Sequence, residues 1–116
     1  MLRIGNMDAV RDYLDVRDVV QAYAALLTKS EPGSVYNVCS GRGVRIDDLR
    51  AELVRLAGVT VTTKRDPALD RPAEIPVLIG DHTALTEATG WVPEIPLHEA
   101  LAAVLAWWEA RATARP

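Results

Sequence analysis

With 116 residues, of which 49% are hydrophobic and 25% charged, the chain is long enough for one small globular domain and short for a complete cofactor-dependent α/β enzyme. The net charge of −3 and the lack of any run of lysines and arginines exclude the concentrated positive surface that nucleic-acid binding needs. The single cysteine, Cys39, excludes an intramolecular disulfide, and the sequence shows neither a signal-peptide pattern nor an apolar run of ~20 residues, so we expect a cytoplasmic protein.

The first half of the chain predicts a helix between two strands. Residues 1–5 are typical of a short strand whose beginning is missing, and a polar turn follows. Apolar residues then recur at helical spacing over residues 16–27, with Asp15 placed to cap the helix. Glu31-Pro32-Gly33 ends this helix. The near-continuously apolar residues 34–39 predict a strand buried on both faces, as in a parallel sheet.

The second half predicts three helices and one strand. Residues 46–56 carry apolar side chains at helical spacing, and residues 59–63 are rich in β-branched side chains typical of a strand. Three prolines make residues 66–76 an extended, irregular loop. Helices are predicted again at 84–89 and 97–111. The fold class is therefore α/β, with too few strands for a complete doubly wound sheet.

Most of the reactive or aromatic side chains have a plain structural interpretation. The two histidines, His82 and His98, belong to no cluster of histidines and cysteines at metal-ligand spacing, and we expect both to be surface residues. Cys39 lies in an apolar segment and is interpreted as a small core residue. We expect Trp108 to pack on the inner face of the last helix and Trp107 to cover a neighbouring surface, where an interface role stays open.

Two arginines and a glutamate are better candidates for ligand binding. Arg11 follows a turn and Arg71 lies in the proline-rich loop, outside any helical repeat. A guanidinium group presents paired donors that match phosphate oxygens, but a surface ion pair is an equally good interpretation from composition. Glu74 could accept hydrogen bonds from sugar hydroxyls or form an ion pair with Arg71.

One glycine pair falls short of a dinucleotide-binding motif. Gly41 and Gly43 lie between a predicted strand and a predicted helix, as the first glycines of a Gly-x-Gly-x-x-Gly motif would. The sixth position is Ile46 instead of glycine. We therefore assign no cofactor-binding residue to this chain.

Three ordered runs of residues resemble a known family. They are Gly5-Asn6-Met7-Asp8-Ala9-Val10-Arg11-Asp12-Tyr13 with Asp15-Val16-Arg17-Asp18-Val19, then Val35-Tyr36-Asn37-Val38-Cys39-Ser40-Gly41, and finally Arg71-Pro72-Ala73-Glu74-Ile75-Pro76 with Gly90-Trp91-Val92-Pro93. Together they are similar to the C-terminal part of the NAD(P)-dependent epimerase/dehydratase family, which has the extended short-chain dehydrogenase fold. Within that family they most resemble reductases of GDP-linked 4-keto-6-deoxy-mannose, and next GDP-mannose 4,6-dehydratases.

The resemblance implies a role for four side chains. Arg11 and Arg71 would contact the diphosphate of a nucleotide sugar, and Glu74 would hold a ribose or sugar hydroxyl. Asn6 would lie near the same pocket. Residues 34–39 would form the last strand of the family's Rossmann sheet, next to a small substrate-binding subdomain.

The chain also departs from the family pattern. It has no glycine-rich phosphate loop near an N-terminal strand. It also has no Tyr-x-x-x-Lys pair, because the residue four places after each tyrosine is not lysine: it is Arg17 after Tyr13, Leu27 after Tyr23 and Ser40 after Tyr36. We therefore expect residues 1–116 to be a single substrate-binding region that lacks the N-terminal Rossmann domain, has no catalytic residue and is inactive alone, with NAD(P) bound by the full-length parent.

Other interpretations stay open. The chain could belong to a dehydratase or an epimerase, or be a standalone module that binds nucleotide sugars or self-associates through its sheet edge. The expected partners are a GDP-linked sugar and either the Rossmann half or a second copy. We expect no contact with nucleic acid or with a membrane.

Overall fold

The computed structural model describes residues 1–70 and 75–113. Five short strands lie in this part of the chain: β1 (Leu2–Ile4), β2 (Val10–Asp12), β3 (Gly43–Arg45), β4 (Thr63–Arg65) and β5 (Val77–Leu78). The helices are α1 (Val16–Lys29), α2 (Ile46–Ala57), α3 (Thr83–Thr89) and α4 (Leu97–Thr113), with one 3-10 turn at Pro67–Leu69. Each helix predicted from the sequence is therefore present, close to its predicted bounds. None of these helices is long and apolar enough to cross a membrane.

The ends of α1 show why its sequence forms a helix. The side chain of Asp15 accepts a hydrogen bond from the main-chain N–H of Arg17, as expected for the capping residue. At the other end, the Ser30 hydroxyl and amide both donate to the carbonyl of Leu26. Both ends thus satisfy groups that a helix leaves unpaired.

The strands form two small sheets. β1 pairs with β4 in parallel, with Arg3 opposite Lys64. In the second sheet β2 lies in the middle, antiparallel to β3 and parallel to β5. Arg11 is therefore opposite Val44 on one side and Leu78 on the other. The small sheets confirm the prediction of an α/β fold with an incomplete sheet.

Residues 34–39 differ from their prediction. They pair with no strand in the described part of the chain, and the Val35 side chain is 91% exposed. Tyr36 and Val38 instead pack against the core, so only one side of the segment is covered. The prediction of burial on both faces was wrong because none of the described strands lies alongside this segment to complete a sheet.

The core is small for a chain of this length. It centres on Ala22 of α1, Leu85 of α3 and Trp91, which are at most 7% exposed. The Trp91 indole N–H donates to the main-chain carbonyl of Asp18 at 3.1 Å, and the buried Asp18 carboxylate accepts the amide of Ile95 at 3.0 Å. These contacts connect α1 with α3 and with the loop that precedes α4.

Helix α4 packs against α2, but among its described residues only Leu101 is buried. Trp108 is 61% exposed and Trp107 is half exposed, and their rings meet edge to face with centroids 4.9 Å apart. The Arg111 guanidinium lies 3.4 Å from the Trp107 ring centre. The expected core position of Trp108 was therefore wrong, because no described element covers that side of α4.

Candidate functional site

Arg11 lies in the middle strand of the three-stranded sheet. Its guanidinium Nη1 donates to the main-chain carbonyl of Val10 at 2.7 Å and reaches the carbonyl of Pro76 at 3.5 Å, which is too long for a strong hydrogen bond. No carboxylate within residues 1–70 and 75–113 forms a salt bridge with it. The described residues therefore orient this cation towards Pro76 without neutralising it.

Asn6 lies in the loop between β1 and β2, on the chain segment that leads to Arg11. Its side-chain carbonyl accepts the amide of Asp8 at 3.0 Å, which holds the turn and leaves the amide NH₂ group as a donor. Gly5 lies directly against the main chain of Leu69, where a Cβ atom would collide with the Leu69 carbonyl. The glycine thus allows the 3-10 turn to approach the loop that carries Asn6.

Arg71 and Glu74, the other two predicted ligand contacts, lie outside the described residues. The structure does describe the residues on either side of them. On one side the amide of Asp66 donates to the carbonyl of Ile4, just before the 3-10 turn. On the other, the amide of Val10 donates to the carbonyl of Pro76 at 2.9 Å. Both flanks therefore contact the segment that contains Asn6 and leads to Arg11.

Sequence reasoning did not single out Asp12, whose carboxylate connects three segments. One oxygen accepts the amide and the hydroxyl of Ser40, and the other accepts the amides of Gly41 and Gly80 at 2.9 and 3.2 Å. Burial of the carboxylate would raise its pKa, but the hydrogen bonds from Ser40 and from the two glycine amides outweigh this and hold the pKa below its ordinary value. Asp12 is thus an anionic anchor next to Arg11.

A cleft with a mixed polar and apolar lining opens beside this anchor. It has a volume of about 550 Å³ and includes Tyr13, Ser40, Arg42, His82 and Glu94 in its lining. His82 is half-buried, with Nδ1 2.8 Å from the Thr86 hydroxyl and its ring edge-on to Trp91. The prediction of an exposed loop histidine was wrong for His82, because the start of α3 turns its ring inward; His98 is exposed, as predicted.

Cys39 and the glycine pair fit packing better than chemistry. Burial and, secondly, the charge of Asp12 raise the pKa of the Cys39 thiol, which disfavours the reactive thiolate. A Cβ atom on Gly43 would lie 2.5 Å from the Ile79 side chain and 2.7 Å from that of Val10. The space beside Gly43 is therefore filled by apolar side chains and does not fit the pyrophosphate of a dinucleotide.

The chain is similar in sequence to known proteins. The chain is 44% identical over 110 residues to GDP-6-deoxy-D-mannose reductase from Pseudomonas aeruginosa, covering 95% of this chain and 36% of the reductase. It is 28% identical to GDP-mannose 4,6-dehydratase from Vibrio cholerae, covering 90% of this chain and 36% of the dehydratase. The chain therefore spans little more than a third of the length of these relatives.

A solved structure shows the same fold. The structure of RMD from Pseudomonas aeruginosa, complexed with NADPH, superimposes with a TM-score of 0.90 at 44% identity and covers 95% of this chain and 36% of that one. Together these relatives confirm the predicted resemblance, with the reductase first and the dehydratase next. Residues 1–104 match the model of the GDP-mannose 4,6 dehydratase family, and the chain belongs to that family.

Proposed function

We propose that this chain is the nucleotide-sugar-binding portion of an NAD(P)-dependent reductase that acts on the 4-keto group of a GDP-linked 6-deoxy-mannose. The observation that carries the proposal is the 44% identity to GDP-6-deoxy-D-mannose reductase across 95% of the chain. The chain would hold the sugar nucleotide and would be inactive alone. Reduction would take place only together with a cofactor-binding unit.

Arg11 is the described residue best suited to the diphosphate. It is half-buried, its charge is not neutralised by any described carboxylate, and its Nη1 bonds are to neutral carbonyl oxygens. A phosphate oxygen would accept hydrogen bonds from the remaining guanidinium donors, and partial burial would strengthen this attraction. These observations favour an anion contact over a surface ion pair for Arg11.

We propose that the other three side chains contact the same nucleotide sugar as Arg11. Asn6 would donate from its amide NH₂ group, since its oxygen is already used by the Asp8 amide. Arg71 would share the diphosphate with Arg11, and Glu74 would accept a ribose or sugar hydroxyl. The flanks of the 71–74 segment contact residues 4–10, which supports a common site for the four side chains.

The cofactor would be held elsewhere. The space beside Gly43 is filled by apolar side chains, so the one glycine pair that resembles a dinucleotide motif does not fit the group. We propose that NAD(P) binds to a separate α/β cofactor-binding unit, as a full-length reductase would contain. In that arrangement this chain contributes substrate binding and no catalytic residue.

Calorimetric measurement of GDP-mannose binding tests the proposal. We expect binding to the protein joined or mixed with its cofactor-binding unit, and a loss of at least about thirtyfold in affinity for Arg11→Ala, because a desolvated charge partner is removed. Arg45→Ala is the matched control, since Arg45 lies on the adjacent strand, is exposed and pairs only with Asp8 among the described residues. Equal affinities for the two variants would exclude the diphosphate role.

The dehydratase alternative rests on a specific observation, the match of residues 1–104 to a family described as GDP-mannose 4,6 dehydratase. The two activities differ in their substrates. A reductase would consume NAD(P)H with a GDP-linked 4-keto sugar and leave GDP-mannose unchanged, whereas a dehydratase would convert GDP-mannose. Product analysis with both substrates in the reconstituted enzyme separates the two functions.

A further inference from the structure

His82 lies immediately before α3, and two neighbours hold its ring. Its Nδ1 lies 2.8 Å from the Thr86 hydroxyl, and that hydroxyl donates to the main-chain carbonyl of Trp91 at 2.8 Å. The ring also packs edge-on against the buried Trp91 ring, with the two centroids 5.6 Å apart. Because these contacts already fix the ring, little rotamer freedom is left to lose when a ligand binds to it.

The same hydrogen bonds assign the ring nitrogen that carries the proton. A carbonyl oxygen only accepts, so the single hydrogen of the Thr86 hydroxyl must point to Trp91. The hydroxyl oxygen then accepts from His82, and Nδ1 carries the hydrogen. In the neutral imidazole Nε2 is consequently an acceptor, and the described residues offer it no hydrogen-bond partner.

Nε2 of His82 lies beside the turn at Gly41. A Cβ atom on Gly41 would be 3.5 Å from both Nε2 and Cδ2, which places this edge of the ring next to the turn. The turn itself is anchored, because the Asp12 carboxylate accepts the Gly41 amide at 2.9 Å and the Ser40 hydroxyl accepts the Arg42 amide at 3.1 Å. His82 and Arg42 therefore line the same cleft from two segments that are held in place.

The cleft has one permanently charged residue of each sign in its lining, Arg42 and Glu94. Neither forms a salt bridge with any residue in the ranges 1–70 and 75–113. Glu94 would oppose an anionic ligand and Arg42 a cationic one, whereas a neutral ligand with hydroxyl groups can use both. Such hydroxyl groups can donate to a carboxylate and to Nε2 of His82, and they can accept from a guanidinium group.

Much of the remaining lining is apolar and includes Val44, Val92, Ile95 and Leu97. An apolar wall beside polar groups suits a sugar ring, which has C–H groups on its faces and hydroxyl groups around its edge. The volume of about 550 Å³ lies within the range of small-molecule sites. Neither Arg11 nor Asn6 lines the cleft, so it differs from the part of the chain proposed to bind the nucleotide sugar.

From this arrangement we propose that the cleft is a second binding site, which takes a neutral saccharide. Nε2 of His82 and the carboxylate of Glu94 accept hydrogen bonds from ring hydroxyls, and Arg42 donates to a hydroxyl oxygen. The apolar wall covers one face of the ring. The site is independent of the diphosphate contact proposed for Arg11, because a free saccharide has no phosphate.

An NMR titration of the isotope-labelled chain with methyl α-D-mannopyranoside tests the site. We expect saturable shifts of the Gly41 amide and of Nε2 of His82, with a Kd of about 1 mM, the affinity that ordinary ligand efficiency gives for a molecule of this size. His82→Asn should weaken binding at least about fivefold, because asparagine can still donate to Thr86 but places no acceptor where Nε2 lies. His98→Asn is the matched control, since His98 is exposed on α4 and does not line the cleft.

Two changes at Glu94 give a second measurement, which holds even if His82→Asn fails to fold. Glu94 is exposed, so neither change should alter the circular dichroism spectrum. Glu94→Ala removes an acceptor and should weaken binding at least about fivefold, whereas Glu94→Gln keeps an acceptor oxygen and should stay within about threefold of the unmutated affinity. A titration without saturable shifts, or full affinity in Glu94→Ala and in a folded His82→Asn, would contradict the site.

Two other ligands distinguish this site from its alternatives. We expect inorganic phosphate to leave the same resonances unchanged. Phosphate that shifts them, and binds more tightly to Glu94→Gln, would overturn the saccharide assignment in favour of an anion site. We also expect Arg11→Ala to bind methyl α-D-mannopyranoside with unmutated affinity. GDP-mannose that shifts these resonances in the unmutated chain but not in Arg11→Ala would show that the cleft belongs to the nucleotide-sugar site.

Discussion

The carboxylate of Asp12 accepts two hydrogen bonds from Ser40, at 2.6 Å from the hydroxyl and 2.8 Å from the amide. Its second oxygen accepts the amides of Gly41 and Gly80. One side chain thus fixes the distance between the end of β2, the turn before β3 and the residues after β5. Because Arg11 precedes Asp12 in β2, the hydrogen bonds of Asp12 also fix the position of the Arg11 main chain.

Replacing Asp12 by asparagine should destabilise the fold. One amide oxygen can still accept from Ser40, but the NH₂ group then faces the N–H groups of Gly41 and Gly80 as a donor against donors. We expect a loss of about 1–3 kcal/mol in the free energy of unfolding, measured with urea and circular dichroism. Asp8→Asn is the control, since Asp8 is exposed and should change stability little.

The lowered pKa of Asp12 predicts a specific pH dependence. A carboxyl group whose pKa is lower in the folded than in the unfolded state stabilises the fold above the unfolded value, about 3.9, and loses this contribution as the pH falls through the folded value. The stability difference between the unmutated chain and Asp12→Asn should therefore be constant near neutral pH and shrink below about pH 4. A difference that stays the same in acid would exclude Asp12 as the titrating group.

Gly80 should tolerate no side chain. A Cβ atom there would lie 2.5 Å from Sγ and 2.6 Å from Cβ of Cys39, closer than packed atoms approach. We expect Gly80→Ala to cost about 1–3 kcal/mol of unfolding free energy in urea titrations. In a Cys39→Gly background the same change should cost clearly less, because both clashing atoms are gone. Additive costs in the double variant would show that the clash is not the cause.

The helices and β1 could be predicted from the sequence, but the strands of the three-stranded sheet could not. Spacing of apolar residues and the capping side chain of Asp15 act locally, so α1 was predicted with its first residue. β5 has two residues and β2 three, with Arg11 in the middle, and neither shows a pattern long enough to detect. Their pairing depends on segments far apart in sequence, which local patterns do not contain.

The same difference between local patterns and long-range contacts applies to burial and to the candidate site. The apolar residues of 34–39 predict a buried segment, yet Val35 is exposed because burial depends on which layer lies beside the segment. Arg11 could be singled out by its residue type and position. Asp12 could not, since the groups it binds lie 28 to 68 residues further along the chain, at Ser40 and Gly80.

Arg11→Lys should separate charge from geometry in the proposed site. Lysine keeps the positive charge but lacks the planar set of donors that matches phosphate oxygens in pairs. We expect its affinity for GDP-mannose to lie between those of the unmutated protein and Arg11→Ala, as measured by calorimetry. Full affinity in Arg11→Lys would indicate that only the charge of this side chain matters.

Asp18 provides the last test, of the contact between α1 and the loop before α4. Asp18 is 4% exposed, and its carboxylate accepts hydrogen bonds from the amides of Glu94 and Ile95 at 3.2 and 3.0 Å. Asp18→Ala would leave both N–H groups without this acceptor. We therefore expect a loss of about 1–3 kcal/mol in the free energy of unfolding, measured by urea titration with tryptophan fluorescence as the signal. Asp48→Ala is the matched control, because Asp48 also lies in the first turn of a helix but is exposed. If both variants lost the same small amount of unfolding free energy, Asp18 would contribute only as an acidic residue near the N-terminus of a helix. Other contacts would then have to hold the loop before α4.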